Sequence, residues 1–182
     1  MVYVRDDLGD ESYYEQTRRQ TEGFDAGLLR EPLGVVPAQR PITLAPDANV
    51  TEAMRMMQRE HRGCVLVTDD GTIETKLTGI FTERDVLFRI VDRGRNPAAL
   101  PIGDVMTADP ETLSIHATVA YVLNKMSVGG FRHVPVVDDE RRPACVISVR
   151  DVVNFLVDAF PREILNLPAE PEPEPPRSRE GA

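Results

Sequence analysis

Between residues 37 and 160, short aliphatic runs alternate with stretches whose apolar residues fall three or four positions apart. CVLV (64–67), LTGIF (77–81), VPVV (134–137) and ACVIS (144–148) have the length and β-branched content of buried strands. Val50, Ala53, Met54 and Met57 recur at helical spacing, as do Val119, Val122, Leu123 and Met126. This Met and Leu stripe reads as core. Each helix follows a short strand (42–44; 112–114) and a start signal at Asp47 or at 116–118. A second helix is expected from Thr82 and from Ser148, so the order is β-α-β-β-α, twice.

The halves are copies. Residues 41–70 align with 110–139 without a gap at a constant offset of 69, and ten of the thirty positions are identical. Past the Asp-Asp turn the offset falls to 66, which sets GIFTERDVL (79–87) against CVISVRDVV (145–153). The length change falls in a turn, where hairpins tolerate it. One supersecondary unit is used twice. The predicted class is α/β (α+β), with tandem repeats packed as one pseudo-two-fold module. The boundaries are a polar, partly helical extension over 1–36, repeats over 37–95 and 96–160, and a Pro/Glu tail over 161–182. Helical periodicity is weak near 13–29, a short helix is expected around 162–167, and the last dozen residues read as disordered.

Composition narrows the function classes. A formal net charge of −9 disfavours nonspecific binding to nucleic acid or to an anionic membrane. No apolar run approaches the ~18 residues of a membrane span. The acidic N-terminus lacks the flank and apolar region of a secretory signal, which points to the cytoplasm. Cys64 and Cys145 each lie in an apolar run and read as core residues; a disulfide is not expected. The three histidines are scattered, so no metal site is expected.

One motif stands at the strand-to-helix corner of both copies: TERD (82–85) and SVRD (148–151). A hydroxyl followed three residues later by an acid is a capping box, and a single occurrence would mean no more. Its recurrence brings two helix N-termini to related clefts, suited to an anionic ligand. The hydroxyl of Thr82 or Ser148 can bond a phosphate or ribose oxygen, and the carboxylate of Asp85 or Asp151 can accept from two ribose hydroxyls. The cations for a phosphate are Arg132 and His133, before VPVV, with Arg84 and Arg150 inside the motifs.

The repeat, the RHVPVVD strand and the G-h-h-[ST]-x-x-D corner resemble the paired CBS domain, or Bateman module, over about 36–158. The resemblance implies two clefts that take AMP, ADP, ATP or related adenosyl compounds as a regulatory ligand, with no catalytic cofactor. It implies ribose contacts from Asp85 and Asp151, with Thr82 and Ser148 beside them, and adenine packing against Ile80 and Val146. Ile42, Gly63 and Thr107 would line the clefts, with Gly79 admitting the ligand closely. The second copy departs from the pattern, with Cys145 where the first has Gly79. The Asp85 cleft, expected to share Arg132 and His133, is therefore the favoured site.

The leading reading is a nucleotide sensor without catalytic activity that reports to an effector protein and forms a homodimer through its helices. The alternative is a structural or interaction module with empty clefts. No nucleophile or carboxylate pair accompanies a histidine, so an enzyme is the least favoured class.

Overall fold

The structure, a computed structural model, describes residues 26–161; of the helical stretch expected over 13–29 only the end is described, as a 3-10 helix (Ala26–Arg30), and the helix around 162–167 and the rest of the Pro/Glu tail lie outside the described residues. The first repeat comprises β1 (Thr43–Leu44), α1 (Val50–Arg59), β2 (Cys64–Thr68), β3 (Leu77–Thr82) and α2, which opens as one α turn (Glu83–Asp85) and continues as π-helix (Val86–Val91). After a short strand β4 (Thr107–Ala108), the second repeat follows with β5 (Leu113–Ser114), α3 (Val119–Gly129), β6 (His133–Val137), β7 (Pro143–Ser148) and α4 (Val149–Ala159). The predicted β-α-β-β-α order holds in both copies. The helix α1 starts later than Asp47 implied, because Asn49 is the cap, its side chain accepting from Glu52 N–H at 2.9 Å, whereas α3 follows Thr118, within the expected start at 116–118.

Both sheets have the same wiring. β1 and β5 lie parallel to β2 and β6, which pair antiparallel with β3 and β7. β4 extends only the first sheet, against β3 (Gly79↔Ala108, Ile80↔Thr107). The chain before each repeat packs on the other repeat or closes back on the preceding one. Leu33 and Val36 sit in the core of the second repeat with Val119, Val134 and Ile147, while Ile102 and Val105 sit in the core of the first with Val50, Val65 and Phe81. Matching backbone bonds hold the two segments: Leu33 N–H to Ala117 O at 2.9 Å, and Ile102 N–H to Ala48 O at 2.8 Å. Leu33 and Ile102 stand 69 apart, so the repeat reaches eight residues further upstream than Pro41.

A third apolar cluster joins the halves. Cys64, Leu66, Leu77 and Ile80 of the first sheet meet Val137 and Val146 of the second. The Leu77 N–H donates to Arg141 O across this seam at 2.9 Å. The residue before β2 meets the first residue of β6: a Cβ on Gly63 would fall 2.7 Å from the His133 ring, so glycine admits the contact where a side chain would displace the imidazole.

Candidate functional site

Both corners fold as capping boxes. The Thr82 hydroxyl accepts from Asp85 N–H, while Asp85 Oδ2 accepts from Thr82 N–H and Oγ–H, each at 2.8 Å. At the second corner Asp151 Oδ2 accepts from Ser148 N–H at 2.8 Å and from its Oγ–H at 2.7 Å. The cap uses one carboxylate oxygen in each case, and the other decides what the corner can bind.

Here the copies part. Asp85 Oδ1 faces the Arg89 Nε at 3.2 Å. Arg89 also donates to Val105 O at 2.8 Å, to Met106 O, and to Thr107 Oγ1 at 3.1 Å. Phe155 holds the corresponding place in the second copy and is buried in the core. Among the described residues Asp151 Oδ1 has no partner, and its carboxylate borders an open cavity.

That cavity has a volume of about 950 Å³, at the upper end of the roughly 300–1,000 Å³ typical of small-molecule sites. It is lined from the first repeat by Arg40, Ile42, Met54, Met57, His61, Arg62, Gly63, Cys64 and Glu83, and from the second by Arg132, His133, Val146, Ser148, Arg150 and Asp151. Four arginines, the half-buried Arg62 and the exposed Arg40, Arg132 and Arg150, thus line it together with two acidic residues, Glu83 and Asp151. Among the described residues, none of the four arginines is ion-paired. The Arg62 Nε is buried with no hydrogen-bond partner. A buried unpaired donor on a cation is costly unless something supplies an acceptor. An acidic protein that gathers unpaired arginines in one cavity has built a local site for an anion.

Burial holds the His133 imidazole below the ordinary histidine value of 6.5, opposed by Glu83 and Asp151 and helped by Arg132. Near pH 7 it is neutral and offers a hydrogen bond, not a charge. Burial also pushes the Cys64 thiol up to about 12 and raises that of Cys145, so neither is a nucleophile near neutrality. Both thiols are free; Cys64 is buried as expected, whereas Cys145 is only half-buried at the edge of the second core.

The structure groups the expected residues differently from the sequence reading. Arg132 and His133 were expected beside Asp85; they lie with Asp151. His133 pairs with Ser148 across the β6–β7 ladder, and Val149 N–H donates to Arg132 O at 3.0 Å, which ties both residues to the motif of their own repeat. Ile42, Gly63, Val146, Ser148 and Arg150 share their cavity. Thr82, Asp85, Gly79, Ile80, Arg84 and Thr107 do not. Gly79, Ile80 and Thr107 are taken up in the β3–β4 ladder, and Arg84 is exposed. Cys145 does not line the cavity either, while Gly79, expected to be open, is covered by the Met106 thioether. Arg62 and Cys64, in the 62–65 stretch expected to line a cleft, do so, whereas sequence reasoning missed Arg40, His61 and Glu83. His61 carried a signal: it occupies the left-handed position (φ +52°) where the second repeat has Gly130 (φ +67°). Among the described residues no cluster of His, Cys, Asp and Glu is placed to hold a metal, and no helix is long and apolar enough to cross a membrane.

Residues 33–92 and 102–158 each match the family model of the CBS domain. The chain belongs to the CBS domain family. Its CBS repeats begin at 33 and 102 in that match, at the very segments that cross-pack. The CBS domain-containing protein CBSCBSPB1 of Arabidopsis thaliana is 30% identical over 77% of this chain, which spans only 27% of that relative. The mitochondrial CBS domain-containing protein CBSX3 of the same plant is 30% identical over 68% of the chain and 60% of its own length. A CBS-domain-containing protein from Agrobacterium tumefaciens superposes with a TM-score of 0.62 at 27% identity, covering 73% of this chain and 98% of its own. The CBS domain protein PAE2072 of Pyrobaculum aerophilum, solved with AMP, superposes with a TM-score of 0.60 at 21% identity over 72% of this chain and 98% of its own. At that identity the likeness shows the fold alone.

Proposed function

We infer that this CBS pair is a regulatory module without catalytic activity that binds one adenosine nucleotide in the cavity beside Asp151. The observation that carries the reading is a free ribose-type acceptor, Asp151 Oδ1, in the same cavity as four unpaired arginines. Neutral Ser148 and His133 stand beside them. The apolar wall from Ile42, Met54 and Val146 suits a base, and the arginines suit phosphates. PAE2072 was solved with AMP, and the CBS pair of the protein MJ0100 with 5'-methylthioadenosine and S-adenosylmethionine, which supports an adenosyl compound as the ligand class.

The test is calorimetric titration with AMP, ADP, ATP and S-adenosylmethionine. A phosphorylated member of the set binds, and Asp151→Ala weakens it at least tenfold, since a hydrogen bond to a charged group contributes about 1.5–3 kcal/mol. Asp85→Ala changes it less than threefold. This order is the reverse of the one expected from Gly79 and Cys145. Absence of binding by all four ligands would leave the cavity as a structural feature.

The same reading includes self-association. Leu87, Phe88 and Val91 on α2 and Val149 and Val153 on α4 are exposed apolar residues on helices that start at the two corners. The outer face of α1 carries Glu52, Arg55 and Arg59 and is the poorer contact. Two copies meeting through α2 and α4 sediment as a dimer, and Phe88→Glu yields monomers. A wild-type chain that sediments as a monomer at micromolar concentration removes this part of the reading.

A further inference from the structure

The first-repeat corner has the full motif, yet every acceptor on it is spent. Asp85 Oδ2 takes the two bonds of the cap, and Oδ1 takes the guanidinium of Arg89. Arg89 does not stop there. It reaches across to the carbonyls of Val105 and Met106 and to the Thr107 hydroxyl, and so ties the carboxylate to the chain that enters the second repeat. That chain then covers the strand edge. β4 pairs with Gly79 and Ile80, and the Met106 sulfur fills the place where a Cβ on Gly79 would stand.

In the second copy the leading chain also reaches the strand, through a single bridge of Gln39 to Val146, but it brings neither a guanidinium nor a thioether. Phe155 replaces Arg89 and is buried, Pro37 replaces Met106, and Asp151 Oδ1 is left open toward the cavity. The helix winding differs too. Residues 86–91 form a π-helix with Asp92 N–H bonded to Leu87 O, whereas α4 is α-helical throughout. A π segment is rare and marks a local constraint, and here it carries Arg89.

We propose that Arg89 and Met106 are an internal plug: they occupy the Asp85 cleft, so that a module with two motifs takes one nucleotide per chain. This rests on the nucleotide reading given above. Asp85 is then a latent site, complete except that the chain's own guanidinium holds the place of the ribose hydroxyls.

Equilibrium dialysis of the full chain with labelled AMP and ATP tests it. The wild type binds one nucleotide per chain. Arg89→Ala/Met106→Ala binds two, and adding Asp151→Ala to that variant returns it to one. Circular dichroism and a cooperative melt establish that each variant is folded. If the double variant aggregates, Arg89→Gln is measured in its place, with the same expected gain of a site. Two sites in the wild type, or one site in the wild type and still one in the unplugged variant, overturns the plug and leaves the Asp151 cavity standing. A wild type that binds nothing while the unplugged variant binds one ligand overturns the Asp151 reading and supports the plug. If neither binds, both fall.

Discussion

At the scale of single residues, His61 and His133 carry the most information. His61 sits in a left-handed conformation that costs a non-glycine residue about 1–2 kcal/mol. Its counterpart, Gly130, has no such strain, and His61 borders the cavity. His61→Gly therefore stabilises the apo protein by about 0.5–1 kcal/mol, the relief less the chain entropy of a glycine, while weakening nucleotide binding. Thermal melts and titration of the same variant check both signs. Were the variant less stable, the strain would not be what holds His61 there.

His133 makes a pH prediction. Its proton affinity is lower in the folded protein than in the unfolded chain, by burial against Gly63 with Glu83, Asp151 and Arg132 around it. Above the ordinary value of 6.5 both states are neutral and the residue contributes nothing. As the pH falls through that value the unfolded chain takes the proton first, so stability drops until the folded imidazole titrates too. Denaturant unfolding at pH 7.5 and at mildly acidic pH shows this loss for the wild type and a smaller one for His133→Gln. Phosphate binding moves the opposite way, since a protonated His133 adds a cation to the cavity, worth about 1 kcal/mol or roughly fivefold in affinity.

At the scale of elements, the two corners are interchangeable as helix caps and different as sites. Ser148→Ala removes the cap of α4 and one of the donors that aim Asp151, at a cost of about 1 kcal/mol. Thr82→Ala costs α2 a similar amount, but Asp85 keeps its tie to Arg89. Ser148→Ala thus lowers both melting temperature and nucleotide affinity, whereas Thr82→Ala lowers the melting temperature alone. The spacing TERDVLFR against SVRDVVNF already contained this difference, as Arg against Phe four residues after the acid. An i, i+4 Asp–Arg pair is an ordinary surface feature of a helix. Only the arrival of residues 105–107 above it turns the pair into a plug.

At the scale of the whole molecule, the repeats are joined by exchange of their leading segments. Leu33 belongs by position to the first repeat and by packing to the second, where it is 4% exposed. Leu33→Ala opens a cavity worth about 2–5 kcal/mol far from its own repeat in sequence. Hydrogen exchange checks this: amides of β5–β7 and α3 lose protection before those of β1–β3. Equal loss in both halves would mean that the shared seam of Leu66, Ile80 and Val137 couples them more tightly than the exchange divides them.

The sequence by itself determined the repeat, its β-α-β-β-α order, the buried strands and the two capping corners. All of these depend on periodicity and on bonds between residues three or four apart, which short stretches of chain encode. Its family, too, was legible in the TERD and SVRD corners and the RHVPVVD strand. Tertiary structure alone decided which cleft is open. That depends on where Met106 and Arg89 fall relative to Gly79 and Asp85, and on the ladder that holds His133 beside Ser148 while its ring packs on Gly63 of the first repeat. Gly79 promised room because glycine lacks a side chain, but room in a protein belongs to whatever neighbour arrives first. Asp151, behind Cys145, kept its free oxygen because a buried phenylalanine stands where an arginine would have claimed it.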